Sequence, residues 1–238
     1  WGPHIFCCAL VLLWSWQRRS PLLIGLALGA AVANHLTSIV LLPIAIGAAW
    51  PTDGGAKEIL RAGLYGVLGS SICLLIFGTL ALGDGGAWRW GDTQTWSGWF
   101  HHVTRGDFGS FQLSIQKHGA PPLTARLSRV LASLGDTWTV GAVRSPWLAS
   151  ILLGVVGWFS LLHKHMPRPL YVGWVCCLVL TTIVFPSAQN IDPSTPFGRW
   201  INERFDLLPA LLWTPAFVAA FHHFQSHIYI QRVRAILI

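Results

Sequence analysis

Long apolar runs alternate with short polar punctuation along this chain. The runs cover residues 5–16, 22–50, 59–83, 146–162, 170–185 and 207–224. A helix that crosses a bilayer core needs about 20 apolar residues at ~1.5 Å each. The 59–83 run satisfies this, the 5–16 run is short of it, and the 22–50 run is long for one crossing and short for two. Asn34-His35 stands at the midpoint of that run and Pro43 in its second half. Two polar stretches, 84–145 and 188–206, separate the later runs. The first carries helical periodicity of its own. Trp96, Trp99, Phe100 and Val103 fall at i, i+3, i+4 and i+7, with Asp92 or Thr93 placed to cap the start. A second helix is predicted from Pro121-Pro122, with Leu123, Leu127, Val130, Leu131 and Leu134 on one face, Arg126 and Arg129 off it, and Gly135 as its stop. Two short amphipathic helices of this kind suit a re-entrant or interface-lying lid.

Composition turns this pattern into a solvent. Hydrophobic residues make up 53% of the chain and charged residues only 11%, against roughly 25% charged in a soluble domain. The mean hydropathy is +0.53. Fourteen Trp fit the indole-rich zone where hydrocarbon meets headgroups. The expected fold is an all-α integral membrane protein: a polytopic helical bundle forming a single membrane domain over 1–238, with an outer or lumenal segment at 84–145 that contains the short amphipathic helices. Such a multi-pass protein belongs in the endoplasmic reticulum membrane of a eukaryote or the inner or plasma membrane of a bacterium. The chain opens on Trp1 with no signal-peptide pattern, and it is expected to be a fragment that has lost its upstream part.

Charge then orients the runs. The formal net charge of +7 is carried by Lys and Arg in short clusters between apolar runs, among them Arg18-Arg19, Lys57/Arg61, Lys164/Arg168 and Arg232/Arg234. No basic stripe for phosphates emerges, so no nucleic-acid partner is expected. If the 22–50 run folds back near Asn34-His35, all four clusters share one side, as the positive-inside rule prefers. Both polar segments then lie on the opposite side. The five Cys sit inside apolar runs without ligand-like spacing and read as small buried hydrophobes.

Candidate chemistry concentrates between Trp90 and Phe111, where Asp92, His101, His102, Arg105 and Asp107 crowd into one short segment. The stretch resembles the signature of a family of multi-spanning proteins related to the eukaryotic membrane O-mannosyltransferase of plexin-type receptor ectodomains. The matching residues are Trp90, Gly91, Asp92, Thr95, Gly98, Trp99, His102, Arg105, Asp107, Phe108, Gly109 and Phe111. Gly25-Leu26-Ala27-Leu28 leading to Asn34-His35-Leu36-Thr37 and Pro43 is similar to the family's apolar helix with an embedded Asn-His. Glu203-Arg204-Phe205 is similar to its acid-Arg-Phe element.

The resemblance implies an inverting glycosyltransferase. It would take a sugar, mannose by analogy, from a polyprenyl- or dolichyl-phosphate donor and place it on a Ser/Thr hydroxyl of a protein acceptor, with the lipid bilayer as its other partner. Asn34, His35, Asp92, His102, Arg105, Asp107, Glu203 and Arg204 become the substrate-binding candidates, with Arg105 and Arg204 suited to a phosphate. Family members carry an acidic base in their first outer loop. Nothing here corresponds to it, so the catalytic base is expected upstream. No Asp-x-Asp motif occurs, and neither a metal nor another cofactor is expected.

Each candidate also has a plainer reading. Arg105 and Asp107 suit a loop-stabilising ion pair, Asp92 a helix cap, Asn34-His35 buried hydrogen bonding, and Glu203-Arg204 an interfacial anchor. His223 and His227, at i and i+4, read as a terminal-helix pair. Two other function classes fit the same pattern: a transporter or flippase for a lipid or small solute, drawn from the polar residues inside a broken helix, and a non-catalytic membrane scaffold.

Overall fold

The first helix, α1 (Gly2–Trp16), is stopped at Arg18, whose φ of 51° puts a non-glycine residue in the left-handed region. Ser20 and Pro21 then open α2 (Pro21–Asn34), proline taking the first-turn place where its missing N–H costs nothing. At His35 the backbone becomes extended, with φ −157° and ψ 118°. A 3-10 turn (Leu36–Leu41) follows and leads into α3 (Leu42–Ala49), which has Pro43 in its first turn. Then come α4 (Ala56–Leu82), α5 (Trp96–Val103), α6 (Leu123–Gly141) and α7 (Arg168–Val179). The last runs through a π-helical turn (Leu180–Val184) into a closing turn, Phe185–Ala188. Pro186 cannot donate to the carbonyl four residues back, and the Phe185 N–H bonds five residues back to Leu180 instead. The Thr181 and Thr182 hydroxyls donate to the Cys177 and Leu178 carbonyls at 2.8 and 2.5 Å. The final helix is α8 (Asp206–His222). This computed structural model describes residues 2–18, 20–50, 55–82, 95–103, 123–141, 154–158, 166–188, 206–222 and 224–225, and every regular element among them is helical.

Register along the contacts fixes the topology. Gly25 lies against Ala62 and Gly66, and Gly29 against Gly66 and Ser70, so α2 and α4 advance together as parallel neighbours. The chain between them must therefore return to its starting end. The 3-10 turn and α3 do this, covering about 24 Å against about 21 Å for α2. The turn at Asn34-His35 is thus where the chain reverses. On its other side, α3 packs antiparallel to α7: Pro43 meets Gly173, Gly47 meets Pro169, and the Cys177 thiol donates to the Val40 carbonyl at 3.0 Å. It follows that α2, α4 and α7 start at one end, which gathers Arg18, Lys57, Arg61 and Arg168 there. Arg19, Lys164, Arg232 and Arg234 lie outside the described residues.

Small residues make the closest contacts. A Cβ added at Gly29 would stand 2.8 Å from the Ser70 nitrogen, and one at Gly69 would stand 2.5 Å from the Leu26 carbonyl oxygen. The Ser70 hydroxyl donates across the seam to the Gly29 carbonyl at 2.9 Å. Around this seam the core draws Cys8 and Val11 from α1, Ile24 and Ala31 from α2, Ile44 from α3, Trp174 from α7 and Leu212 from α8. The far side of α4 is apolar and uncovered, exposing Leu60, Leu64, Val67, Leu68, Leu75 and Ile76. A face of that extent is stable only against an apolar medium or a partner. Among the described residues, two helices, Ala56–Thr79 and Arg168–Ser187, are long and apolar enough to cross a membrane.

Two local expectations are corrected. Neither Asp92 nor Thr93 begins α5, because Thr95 caps it: the Gly98 N–H donates to the Thr95 hydroxyl at 3.0 Å. Nor does α6 stop at Gly135, since it continues to Gly141. A lone interior glycine costs about 1 kcal/mol relative to alanine, which weakens a helix without ending it.

Candidate functional site

The reversal after α2 gathers several polar side chains. Near the end of α2, side chains add second donors to carbonyls of its last turns. Asn34 Nδ2 donates to the Ala30 carbonyl at 2.8 Å, and the Ser38 hydroxyl donates to the Ala31 carbonyl at 3.1 Å. The His35 N–H also reaches Ala31 at 2.9 Å. His35 then caps the 3-10 turn, its Nδ1 accepting from the Thr37 N–H at 3.4 Å and sitting 2.6 Å from the Thr37 hydroxyl.

From the first turn of α1, His4 reaches into this group. Its Nδ1 lies 3.1 Å from the Ser38 hydroxyl and its ring 5.2 Å from that of His35. Cys8, one turn further along α1, stands 3.6 Å from Ser38. Ser38 and Cys8 are fully buried and His4 nearly so, whereas Asn34 and His35 are half-buried. The arrangement is a short chain of hydrogen-bonding groups, Thr37 to His35 and His4 to Ser38, with the two imidazoles side by side.

A second group surrounds α5. Trp99 stands over Gly78 of α4, its ring 3.5 Å from where a Cβ on that glycine would lie, and Trp96 meets Trp99 edge to face at 5.8 Å. The pairing of Gly29 with Ser70 sets the level of α2 against α4. Carried forward, it puts His35 within about one turn, ~5 Å, of the level of Gly78. The Asn34-His35 break and the seat of α5 therefore share one end of the bundle, opposite Arg18, Lys57, Arg61 and Arg168.

Of the residues singled out in the sequence, Asn34 and His35 stand in the first group, and His102 belongs to α5, its side chain lying outside the described set. Asp92, Arg105, Asp107, Glu203 and Arg204 lie outside the described residues, as do His223 and His227. Three signature positions have structural work: Thr95 caps α5, Gly98 donates to that cap, and Trp99 seats the helix on α4. His4, Cys8 and Ser38 escaped the sequence reading. One signal was available: His4 and Cys8 are spaced i, i+4 and share a helix face. Among the described residues, no group of three or more His, Cys, Asp or Glu side chains is placed to hold a metal ion. Compared with known proteins, the chain matches no family model, no curated protein and no solved structure.

Proposed function

We propose that this chain is the helical body of a multi-pass membrane glycosyltransferase of the O-mannosyltransferase-like kind. It would transfer a sugar from a polyprenyl- or dolichyl-phosphate to a protein Ser/Thr hydroxyl. The membrane part of this reading rests on three features. Close glycine-to-backbone packing between α2 and α4 is the way helices associate where water supplies no drive. The outer face of α4 is apolar along its length. Arg18, Lys57, Arg61 and Arg168 of the described residues collect at one end, as cytoplasmic loops require, with Arg126 and Arg129 of α6 as the exceptions.

The observation that carries the chemical part is the seat of α5. Helix α5, the described part of the signature-like stretch, is anchored by Trp99 over Gly78, at the end of the bundle opposite Arg18, Lys57, Arg61 and Arg168 and level with Asn34-His35. A lipid-phosphate donor presents its sugar at a membrane surface, and that end is where the acceptor hydroxyl would meet it. In the transfer, the hydroxyl oxygen bonds to the sugar C1 while the C1–O bond to phosphate breaks, and a carboxylate takes the hydroxyl proton. The phosphate leaves with both electrons of that bond. Arg105, two residues beyond α5, is the residue proposed to meet that charge.

The test is transfer from a purified polyprenyl-phosphate sugar by the full-length protein. Arg105→Ala should lower kcat/KM roughly ten- to over a hundred-fold, corresponding to about 1.5–3 kcal/mol for a charge-assisted contact. Arg105→Lys keeps the charge but loses the bidentate fork, and should recover only part of that loss. Transfer at the wild-type rate by Arg105→Ala overturns the phosphate role, and equal losses of activity and thermal stability point to the ion pair with Asp107 instead.

One observation favours a second reading, a lipid or solute transporter: the broken helix pair with buried His4 and Ser38 at the break. Movement of a labelled lipid-linked sugar across sealed vesicles, with no transfer to any acceptor, would select it.

A further inference from the structure

Both short amphipathic helices turn large apolar side chains outward. On α6 the outward side carries Leu123, Leu127 and Leu131, exposed by 72%, 54% and 68%. Arg126 and Arg129 are half-buried on the other side. Water would solvate this helix the opposite way, with arginines out and leucines in. On α5 the outward residues include Trp96 and Phe100, while Trp99 is turned onto Gly78.

Each of these helices is attached to one of the two candidate spans. α5 sits on α4 near its end. α6 packs against the stretch from Leu180 to Ala188 that ends the Arg168–Ser187 span. Because α4 and α7 run parallel, both attachments lie at the same end of the bundle. The spans also expose apolar residues near these attachments, Leu75 and Ile76 on α4, and Ile183 and Val184 beyond α7.

We infer that α5 and α6 form a collar around the perimeter of the bundle that seats in the bilayer surface at the end opposite Arg18, Lys57, Arg61 and Arg168, with the leucine side of α6 and the Trp96/Phe100 side of α5 against lipid. This rests on the membrane reading of the chain. It differs from a lid, because the apolar sides face away from the helical body. A surface-lying helix of this kind buries its apolar side at the boundary of headgroups and acyl chains. The collar would hold α5 at the depth of a lipid phosphate.

The experiment places the photo-crosslinking residue p-benzoylphenylalanine at Phe100, Leu127 or Leu68 of the full-length protein in phosphatidylcholine vesicles, with adducts mapped by mass spectrometry. Leu68 is an exposed position midway along α4 and reports on the membrane reading alone. Lipid adducts are expected at all three positions, on the glycerol and upper acyl carbons for Phe100 and Leu127 and deeper for Leu68. Lipid at Leu68 with none at Phe100 or Leu127 overturns the collar and leaves the membrane reading standing. So does cross-linking of either position to a second protein chain. No lipid adduct at any of the three overturns both.

Discussion

Residues on the two sides of α4 pose opposite questions to an added methyl group. Gly29 faces backbone: a Cβ there would meet the Gly66 carbonyl carbon and the Ser70 nitrogen, both at 2.8 Å. Gly63 lies on the same α4 helix with nothing within 4 Å of its would-be Cβ. Gly29→Ala should therefore force α2 and α4 apart, stretch the Ser70–Gly29 hydrogen bond and cost about 1–3 kcal/mol. Gly63→Ala should be stabilising by about 0.4–1 kcal/mol through the unfolded chain. Thermal unfolding of both variants in the same detergent checks this, and equal melting temperatures would contradict the register of the seam. This seam was not legible in the sequence. Gly29 and Ser70 are 41 residues apart, and no local pattern links them. The same holds for His4 and Ser38, separated by 34 residues. Asn34-His35 was legible because a polar pair inside an apolar run declares itself without a partner.

Helices α5 and α6 show how far element-scale reasoning carries. Their apolar periodicity located both, since that signal is local, yet each boundary was misplaced by a local cue. Asp92 and Thr93 are good capping residues, but Thr95 stands three residues before the Gly98 N–H it accepts from. Gly135 is a common helix terminator only when it occupies the left-handed position past the last turn, and here the helix passes through it. Removing the Thr95 cap should loosen α5 selectively. Thr95→Ala should cost about 0.5–2 kcal/mol of local stability, speeding hydrogen exchange at the Gly98 amide roughly 2- to 30-fold. Thr95→Ser should hold it near the wild-type rate. Unchanged exchange in Thr95→Ala would mean that Trp99 on Gly78 alone holds the helix in place.

For the whole molecule the decisive feature is direction. Because α2, α4 and α7 run the same way, sidedness can be read from three exposed positions. With single cysteines introduced at Ala56, Arg168 and Ser97 of the full-length protein in sealed vesicles, a membrane-impermeant maleimide should reach Ala56→Cys and Arg168→Cys from one side and Ser97→Cys from the other. Labelling of Ala56→Cys and Arg168→Cys from opposite sides would refute the return path through the 3-10 turn and α3. That path was anticipated from the sorting of Arg and Lys, a property of the chain as a whole that survives uncertainty about any one helix. The parallel pairing of α2 and α4 also bears on synthesis. A helical hairpin can close as soon as its second arm emerges, but these partners are separated by the returning segment. At about 5–20 residues per second, the ribosome needs roughly 2–8 s to travel from Gly29 to Ser70. For that interval the glycine face of α2 waits without its mate, open to whatever escorts a nascent chain.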